Sequence, residues 1–188
     1  QAEEPILNKI AYSFMALVAA LLLYAATKPD TFHVQRSISI QAPPEKIFAI
    51  LNDFHQSASC SPYEKKDPAM KRVFSGPENG KGAIYQFDGN KEVGKGRLTI
   101  TDTTPSSKVV IALDMLEPFE AQSVVEYTLA ATGPSTDVTW AIHGDQPYLG
   151  KVMSLFIDCD KMIGKDFEVG LANLKAVSET NLKASTKT

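Results

Sequence analysis

The chain has 188 residues, of which 44% are hydrophobic and 22% charged, with a formal net charge of −3. This composition is ordinary for a globular core, and the part after the N-terminal segment has the length of one domain. A nucleic-acid-binding protein would carry a basic face, and neither the net charge nor any block of like charge indicates one, so we expect no nucleic acid partner.

The first predicted element is an uncharged run, IAYSFMALVAALLLYAAT, from Ile10 to Thr27. As a helix, these 18 residues would span roughly 27 Å, close to the thickness of a bilayer core. Lys9 and Lys28 close the run, and Tyr12 and Tyr24 lie near its ends, where aromatic rings suit the lipid headgroups. We predict one transmembrane helix here, so the lipid bilayer is an expected partner.

Two alternatives to this anchor are a cleavable signal peptide and a buried core helix. A signal peptide would have a basic start and a shorter apolar core, whereas this run follows the acidic QAEEP. A core helix is disfavoured because nothing later in the chain needs a helix that is apolar on every face. Lys9 precedes the run and Lys28 and Arg36 follow it, which weakly favours a cytoplasmic location for the remainder.

The predicted organisation is a tail over residues 1–9, a transmembrane helix over 10–27, a linker over 28–32, a domain over 33–179 and a flexible tail over 180–188. From Phe32 the chain alternates between apolar and polar side chains, as a half-buried strand does. Pro43 and Pro44 end this strand. Apolar residues at helical spacing then predict a helix of about twelve residues that ends near Asp53 or Phe54.

The segment HQSASCSPYEKKDP, residues 55–68, predicts a long irregular connection, or a short second helix with a loop. Beyond it, alternation and turn residues predict an antiparallel meander of six strands. The strands are expected over 71–76, 82–88, 96–102, 108–115, 122–130 and 137–143. Residues 158–178 have helical periodicity and predict a long amphipathic helix that lies across an apolar surface.

Cys60 and Cys159 permit one disulfide or none, and we favour two free thiols that act as small apolar side chains. The three histidines, at positions 33, 55 and 143, have no metal-binding spacing. The chain also has no HExxH, CxxC, GxSxG, P-loop or GxGxxG motif. We therefore predict no metal site and no cofactor.

Six stretches in chain order resemble the helix-grip superfamily, which includes START lipid-transfer domains, Bet v 1 and the SRPBCC polyketide cyclase/dehydrase group. The stretches are VQRSISIQAPPEKIFAILNDF, SPYEKKDPAMK, GKGRLTI, EPF, TDVTW and DKMIGKDFEVGLANLK. The resemblance covers about Thr31 to Glu179 and looks like a bacterial, membrane-anchored branch. It implies an α+β helix-grip fold, in which a curved antiparallel sheet of about seven strands wraps around the C-terminal helix. It also implies a single-pass protein of the bacterial inner membrane.

The resemblance further implies a cavity between the sheet and that helix, suited to an apolar or amphipathic small molecule such as a lipid, isoprenoid or polyketide. Strand alternation and the helix face supply the candidate ligand-binding residues: Tyr85, Phe87, Ile111, Leu113, Met115, Trp140, Phe167 and Leu171. The alternative for each is plain core packing. Trp140 and Tyr85 are the stronger candidates because each carries a polar group that needs a hydrogen-bond partner when it is buried.

Glu64 and Asp67 are weak catalytic candidates, since they lie in a stretch that resembles a recurrent family segment. A carboxylate at the cavity mouth would be able to act as an acid or base in cyclisation or dehydration. The favoured alternative is a solvated loop with local ion pairs.

Three functions stay open at this point. The first and favoured one is a membrane-tethered domain that binds or transfers a hydrophobic small molecule or lipid. The second is an accessory subunit of a larger integral-membrane complex, and the third is a cyclase or dehydratase.

Overall fold

A computed structural model describes the backbone of residues 6–185 and the side chains of residues 6–180. The ends of both expected tails, residues 1–5 and 186–188, lie outside the described residues. The chain forms two compact units. Of the described residues, the first unit contains 6–32 and 145–159, and the second contains 33–144 and 160–185.

The first unit contains the apolar helix α1, Ile6–Ala26, which begins four residues earlier than predicted. Within the described residues it is the one helix long and apolar enough to cross a membrane, and none of its apolar window is buried. The helix is thus not buried in the way that a core helix would be.

A second helix in this unit, α5 (Tyr148–Met153), was not predicted. The Tyr148 hydroxyl donates a hydrogen bond of 2.8 Å to the carbonyl oxygen of Leu22, near the end of α1. The Lys151 ammonium pairs with the Asp30 carboxylate, and this hydrogen bond, with the charge of Lys151, lowers the pKa of Asp30. These contacts hold α5 beside the last turns of α1.

The second unit is built on a seven-stranded antiparallel sheet with the order β1-β7-β6-β5-β4-β3-β2. The strands are β1 Thr31–Ile40, β2 Lys71–Ser75, β3 Ile84–Asp88, β4 Lys95–Thr104, β5 Lys108–Glu117, β6 Ala121–Thr132 and β7 Ser135–Asp145. The predicted strands and the meander are confirmed. Two register shifts in β4, at Lys95/Gly96 and Ile100/Asp102, interrupt its pairing with β5, and such bulges bend a strand.

Short helices connect β1 to β2. Helix α2, Pro44–Leu51, is shorter than the predicted twelve residues. It ends there because Asp53 has an extended backbone and its side chain instead caps the next helix, accepting a hydrogen bond of 2.8 Å from the His55 backbone N–H. Three short helical segments follow: α3 Phe54–Ser57, a 3-10 turn Ala58–Cys60 and α4 Pro62–Lys66.

The long helix α6, Cys159–Ser185, packs against one face of the sheet. It continues beyond the predicted end at 178, so the first part of the expected flexible tail is helical. Leu171 and Leu174 are each 2% exposed and join the core. At the polar edges of the helix, Lys175 donates to the Ser39 carbonyl at 3.0 Å and Lys46 donates to the Ser178 carbonyl at 2.6 Å. The predicted helix-grip fold is confirmed.

Candidate functional site: a cavity between the sheet and helix α6

A cavity of about 350 Å³ lies in the second unit. It is enclosed by the sheet, by α6 and by the α2–α4 connection, which is the run of short helices from α2 to α4 between β1 and β2. At about 30 Å³ per water molecule it has room for roughly a dozen waters, which is far more than an ordinary packing void. Its volume lies at the lower end of the range of about 300–1,000 Å³ typical of small-molecule sites. The helix-grip arrangement therefore leaves a real space, which core side chains do not fill.

All the candidate ligand-binding residues named from the sequence line this cavity: Tyr85, Phe87, Ile111, Leu113, Met115, Trp140, Phe167 and Leu171. Their neighbours Ala83 and Val138, which share strand faces with them, are 2% and 0% exposed and do not line it. Alternation thus found the correct faces, and the contribution of each residue to binding stays a prediction.

The lining residues that were missed include two groups. The first is the inner face of β6, with Ser123, Val125 and Tyr127. The same alternation that identified β5 and β7 would have found it. The second group, from Ser57 to Tyr63, comes from the α2–α4 connection, and its irregular sequence carries no periodic signal that could have placed it.

Aromatic rings form one wall of the cavity. The rings of Trp140 and Phe167 stack with centroids 4.0 Å apart, and those of Trp140 and Tyr127 lie 5.1 Å apart. Gly170 allows α6 to approach Trp140, because a Cβ at position 170 would lie 2.5 Å from its Cζ3 atom. The indole nitrogen of Trp140 is buried without a hydrogen-bond partner, whereas the Tyr85 hydroxyl has one.

Glu64 lies in the cavity wall, with both of its carboxylate oxygens engaged. The Tyr85 hydroxyl donates to Oε1 at 2.7 Å, and Arg72 Nε donates to Oε2 at 2.7 Å. Burial, followed by the hydrogen bond to Glu64, raises the pKa of Tyr85, and the hydrogen bond to Glu64 raises the pKa of Arg72. The negative charge in this wall is therefore paired.

Asp67 does not line the cavity. Its side chain accepts hydrogen bonds from the backbone N–H groups of Ala69, at 3.1 Å, and Asn90, at 2.7 Å. These contacts connect the end of α4 to the turn after β3. The structure therefore separates the two carboxylates that the sequence grouped together, and only Glu64 faces a place where a ligand would lie.

Hydroxyl groups supply most of the remaining polarity. The Tyr127 hydroxyl has no hydrogen-bond partner among the described residues, and burial raises the pKa of Tyr127, with smaller effects from Cys60 and Tyr63 nearby. Burial and the Asp166 carboxylate raise the pKa of Tyr63, and Lys66 pairs with Asp166 at 2.7 Å. These phenols stay protonated at neutral pH and can donate hydrogen bonds.

Both cysteines are free thiols, as we favoured. Cys60 lines the cavity, and burial raises the pKa of its thiol. Throughout the described part of the chain, no group of three or more His, Cys, Asp or Glu side chains is arranged to hold a metal ion. The cavity can therefore enclose an apolar molecule and offer hydrogen bonds to any polar atom that the molecule carries.

Comparison with known proteins agrees with this geometry. The sequence model of the family described as polyketide cyclase / dehydrase and lipid transport matches residues 31–179. No curated protein matches the chain.

Several solved structures share the fold. The di-domain ARO/CYC StfQ from the steffimycin biosynthetic pathway has a TM-score of 0.59 at 12% identity, covering 81% of this chain and 52% of that one. A protein from Chromobacterium violaceum has a TM-score of 0.57 at 15% identity, covering 81% and 99%. The Aha1 dimer from Colwellia psychrerythraea has a TM-score of 0.54 at 20% identity, covering 79% and 96%. At these identities the likeness shows the fold alone.

Proposed function

Because the chain belongs to the polyketide cyclase / dehydrase and lipid transport family, we propose that its cavity holds one hydrophobic small molecule while its N-terminal helix keeps the binding domain at a membrane. The observation that carries this proposal is the cavity itself, about 350 Å³ in volume and lined mainly by aliphatic and aromatic side chains. Concave, mostly apolar pockets with a few polar groups are the general form of small-molecule sites.

The membrane part of the proposal is supported by the exposure of α1. Leu7, Phe14, Leu17 and Leu23 are between 58% and 75% exposed, in a helix that carries no charged residue after Lys9. Burying that surface in lipid would remove it from water at a gain of about 25 cal/mol per Å². The helix would thus make the protein a single-pass membrane protein.

The segment that follows β7 supports the same proposal. Tyr148, Leu149, Phe156 and Ile157 are between 41% and 73% exposed, although all of them are large and apolar or aromatic. The hydrogen bond from Tyr148 to Leu22 holds this segment at the end of α1, where a spanning helix would leave the bilayer core. Aromatic and aliphatic side chains beside Lys151 suit that interfacial level.

Tethering would benefit a carrier of an apolar ligand. A molecule that dissolves in lipid is scarce in water, and an attached binding domain stays at high effective concentration near the bilayer that contains it. Binding, followed by release to a partner or to another membrane, is therefore the function that uses both the cavity and the helix.

The two other hypotheses have less support. A cyclase or dehydratase would need a free acid or base in the cavity, and both oxygens of Glu64 are already hydrogen-bonded, to Tyr85 and Arg72. An accessory subunit of a membrane complex is compatible with ligand binding, and the experiment below separates it from a carrier.

The experiment is native mass spectrometry of the full chain, extracted from its own membrane in mild detergent. It compares the wild-type protein with Leu113→Trp, which fills the cavity, and with Leu116→Trp on the same strand, which does not line it. We expect the wild type and Leu116→Trp to release a small molecule of one defined mass on collisional activation, and Leu113→Trp to lose it.

An empty wild-type chain that carries stoichiometric membrane-protein partners would favour the accessory subunit over the carrier. Equal ligand release from both tryptophan variants would show that the bound molecule lies outside this cavity.

A further inference from the structure

The polar groups of the lining that have no hydrogen-bond partner in the described part of the chain can all donate. They are the buried indole N–H of Trp140 and the hydroxyls of three further lining residues, Ser57, Ser123 and Tyr127. Of the three, Tyr127 is the phenol that lies beside Trp140 in the aromatic wall. The buried indole N–H lacks a partner at a cost in free energy that a ligand acceptor would recover, and the hydroxyls can donate to a ligand that displaces water from the cavity.

The lining offers little free charge to a ligand. Among the described residues that line the cavity Glu64 is the only charged one, and Tyr85 and Arg72 already engage both of its oxygens. No lysine, arginine or histidine belongs to the described lining. An anionic ligand would thus lose its hydration without gaining a cationic partner, and it would face a carboxylate.

We infer that the cavity selects a neutral ligand that carries a hydrogen-bond-accepting oxygen, such as a ketone, and that the Tyr127 hydroxyl donates to that oxygen. This inference rests on the proposed function and specifies its ligand class. Fatty-acid anions and phosphorylated headgroups are excluded from the cavity interior. An entirely apolar hydrocarbon is accepted, but it leaves the Tyr127 hydroxyl unpaired.

The raised pKa of Tyr127 agrees with this role, because burial keeps the phenol protonated and able to donate. The hydroxyl makes no protein contact that orients it, so it can turn to meet a ligand. Its removal should for the same reason leave the fold intact, which makes Tyr127→Phe a clean test.

The test uses the full chain in lipid nanodiscs and three probes with the same ten-carbon chain: decane, decan-2-one and decane-1-sulfonate. Trp140 is the only tryptophan, so intrinsic fluorescence reports directly from the cavity wall. Probe concentrations are expressed as mole fractions in the bilayer, which removes differences in partitioning.

We expect decan-2-one to bind roughly 3- to 10-fold more tightly than decane, the gain of one hydrogen bond in an apolar site. Decane-1-sulfonate should bind at least about 10-fold more weakly than decane. Tyr127→Phe should reduce the affinity for the ketone to that for decane and leave decane unchanged. The control Tyr148→Phe removes a phenol hydroxyl that does not line the cavity, and it should change none of the three affinities.

Equal binding of decane and decan-2-one, or a ketone preference that survives in Tyr127→Phe, would overturn the inference and leave the apolar carrier standing. Sulfonate binding as tight as that of decane would also overturn it. If no probe changes the fluorescence of Trp140 and none competes with another, the inference and the proposed function fail together.

Discussion

At the scale of single residues, two glycines on α6 lie where a larger side chain would collide with a neighbour, and the neighbours differ. A Cβ at position 170 would lie 2.5 Å from Trp140 Cζ3 and 3.2 Å from Pro62 Cδ, both of which are held in packed surroundings. A Cβ at Gly164 would instead meet the guanidinium of Arg36, the far end of a flexible side chain. One glycine therefore sets the distance between α6 and the cavity wall, whereas the other only makes room for a movable group.

We predict that Gly170→Ala destabilises the protein and Gly164→Ala does not. Both changes gain about 1 kcal/mol of helix propensity. At position 170 the extra methyl should cost about 1–3 kcal/mol in overpacking. At position 164 Arg36 can move aside, and the exposed ion pairs that it makes with Asp160 and Glu168 contribute little. Thermal unfolding of both variants, with Trp140 fluorescence as a local probe, checks this prediction. Equal melting temperatures for Gly170→Ala and Gly164→Ala would show that the side chains around Trp140 can move to accommodate the extra methyl group.

At the scale of elements, the success of the sequence analysis followed from periodicity. The strands alternate because one face is buried, so six of the eight predicted lining residues followed from strand alternation. The other two, Phe167 and Leu171, followed from the helical spacing of α6. The segments without a period could not be read in this way. After α2, the α2–α4 connection consists of three short helical segments, namely α3, a 3-10 turn and α4. Helix α5 has six residues, which is less than two turns. Tertiary contacts such as Tyr148 to Leu22 decide their positions, and a single sequence does not display those contacts.

The missed element α5 leads to a prediction about the membrane. Phe156 is 73% exposed just after α5, and we expect it to lie among the lipid headgroups. In a Trp140→Phe background, Phe156→Trp should be quenched more by lipids brominated near the headgroups than by lipids brominated at the chain ends. The matched variant Leu17→Trp, in the middle of α1, should show the reverse order. A tryptophan at 156 that neither lipid quenches would place this segment in water.

At the scale of the whole molecule, burial of phenols links the cavity to stability. Tyr63, Tyr85 and Tyr127 line the cavity, and burial is the largest cause of the raised pKa of each. In the unfolded chain a tyrosine ionises near pH 10. The folded protein keeps these three protons to a higher pH. Between the pKa of a tyrosine in the unfolded chain and its raised pKa in the folded protein, the folded state therefore binds more protons than the unfolded chain does. Stability is therefore fully present below about pH 10 and falls as the pH rises beyond it.

We predict that the free energy of unfolding decreases between about pH 10 and 11 by up to about 1.4 kcal/mol per pH unit for each of these tyrosines. Tyr127→Phe should remove the contribution of this one tyrosine to the change in the free energy of unfolding with pH. Below about pH 9 it should leave the free energy of unfolding nearly unchanged, because the Tyr127 hydroxyl has no hydrogen-bond partner to lose. Melting curves of both proteins across this range, with tyrosinate absorbance recorded in parallel, supply the measurement. A slope that Tyr127→Phe does not alter would mean that this phenol ionises at the same pH in the folded and the unfolded chain, and that burial does not shield its hydroxyl from water.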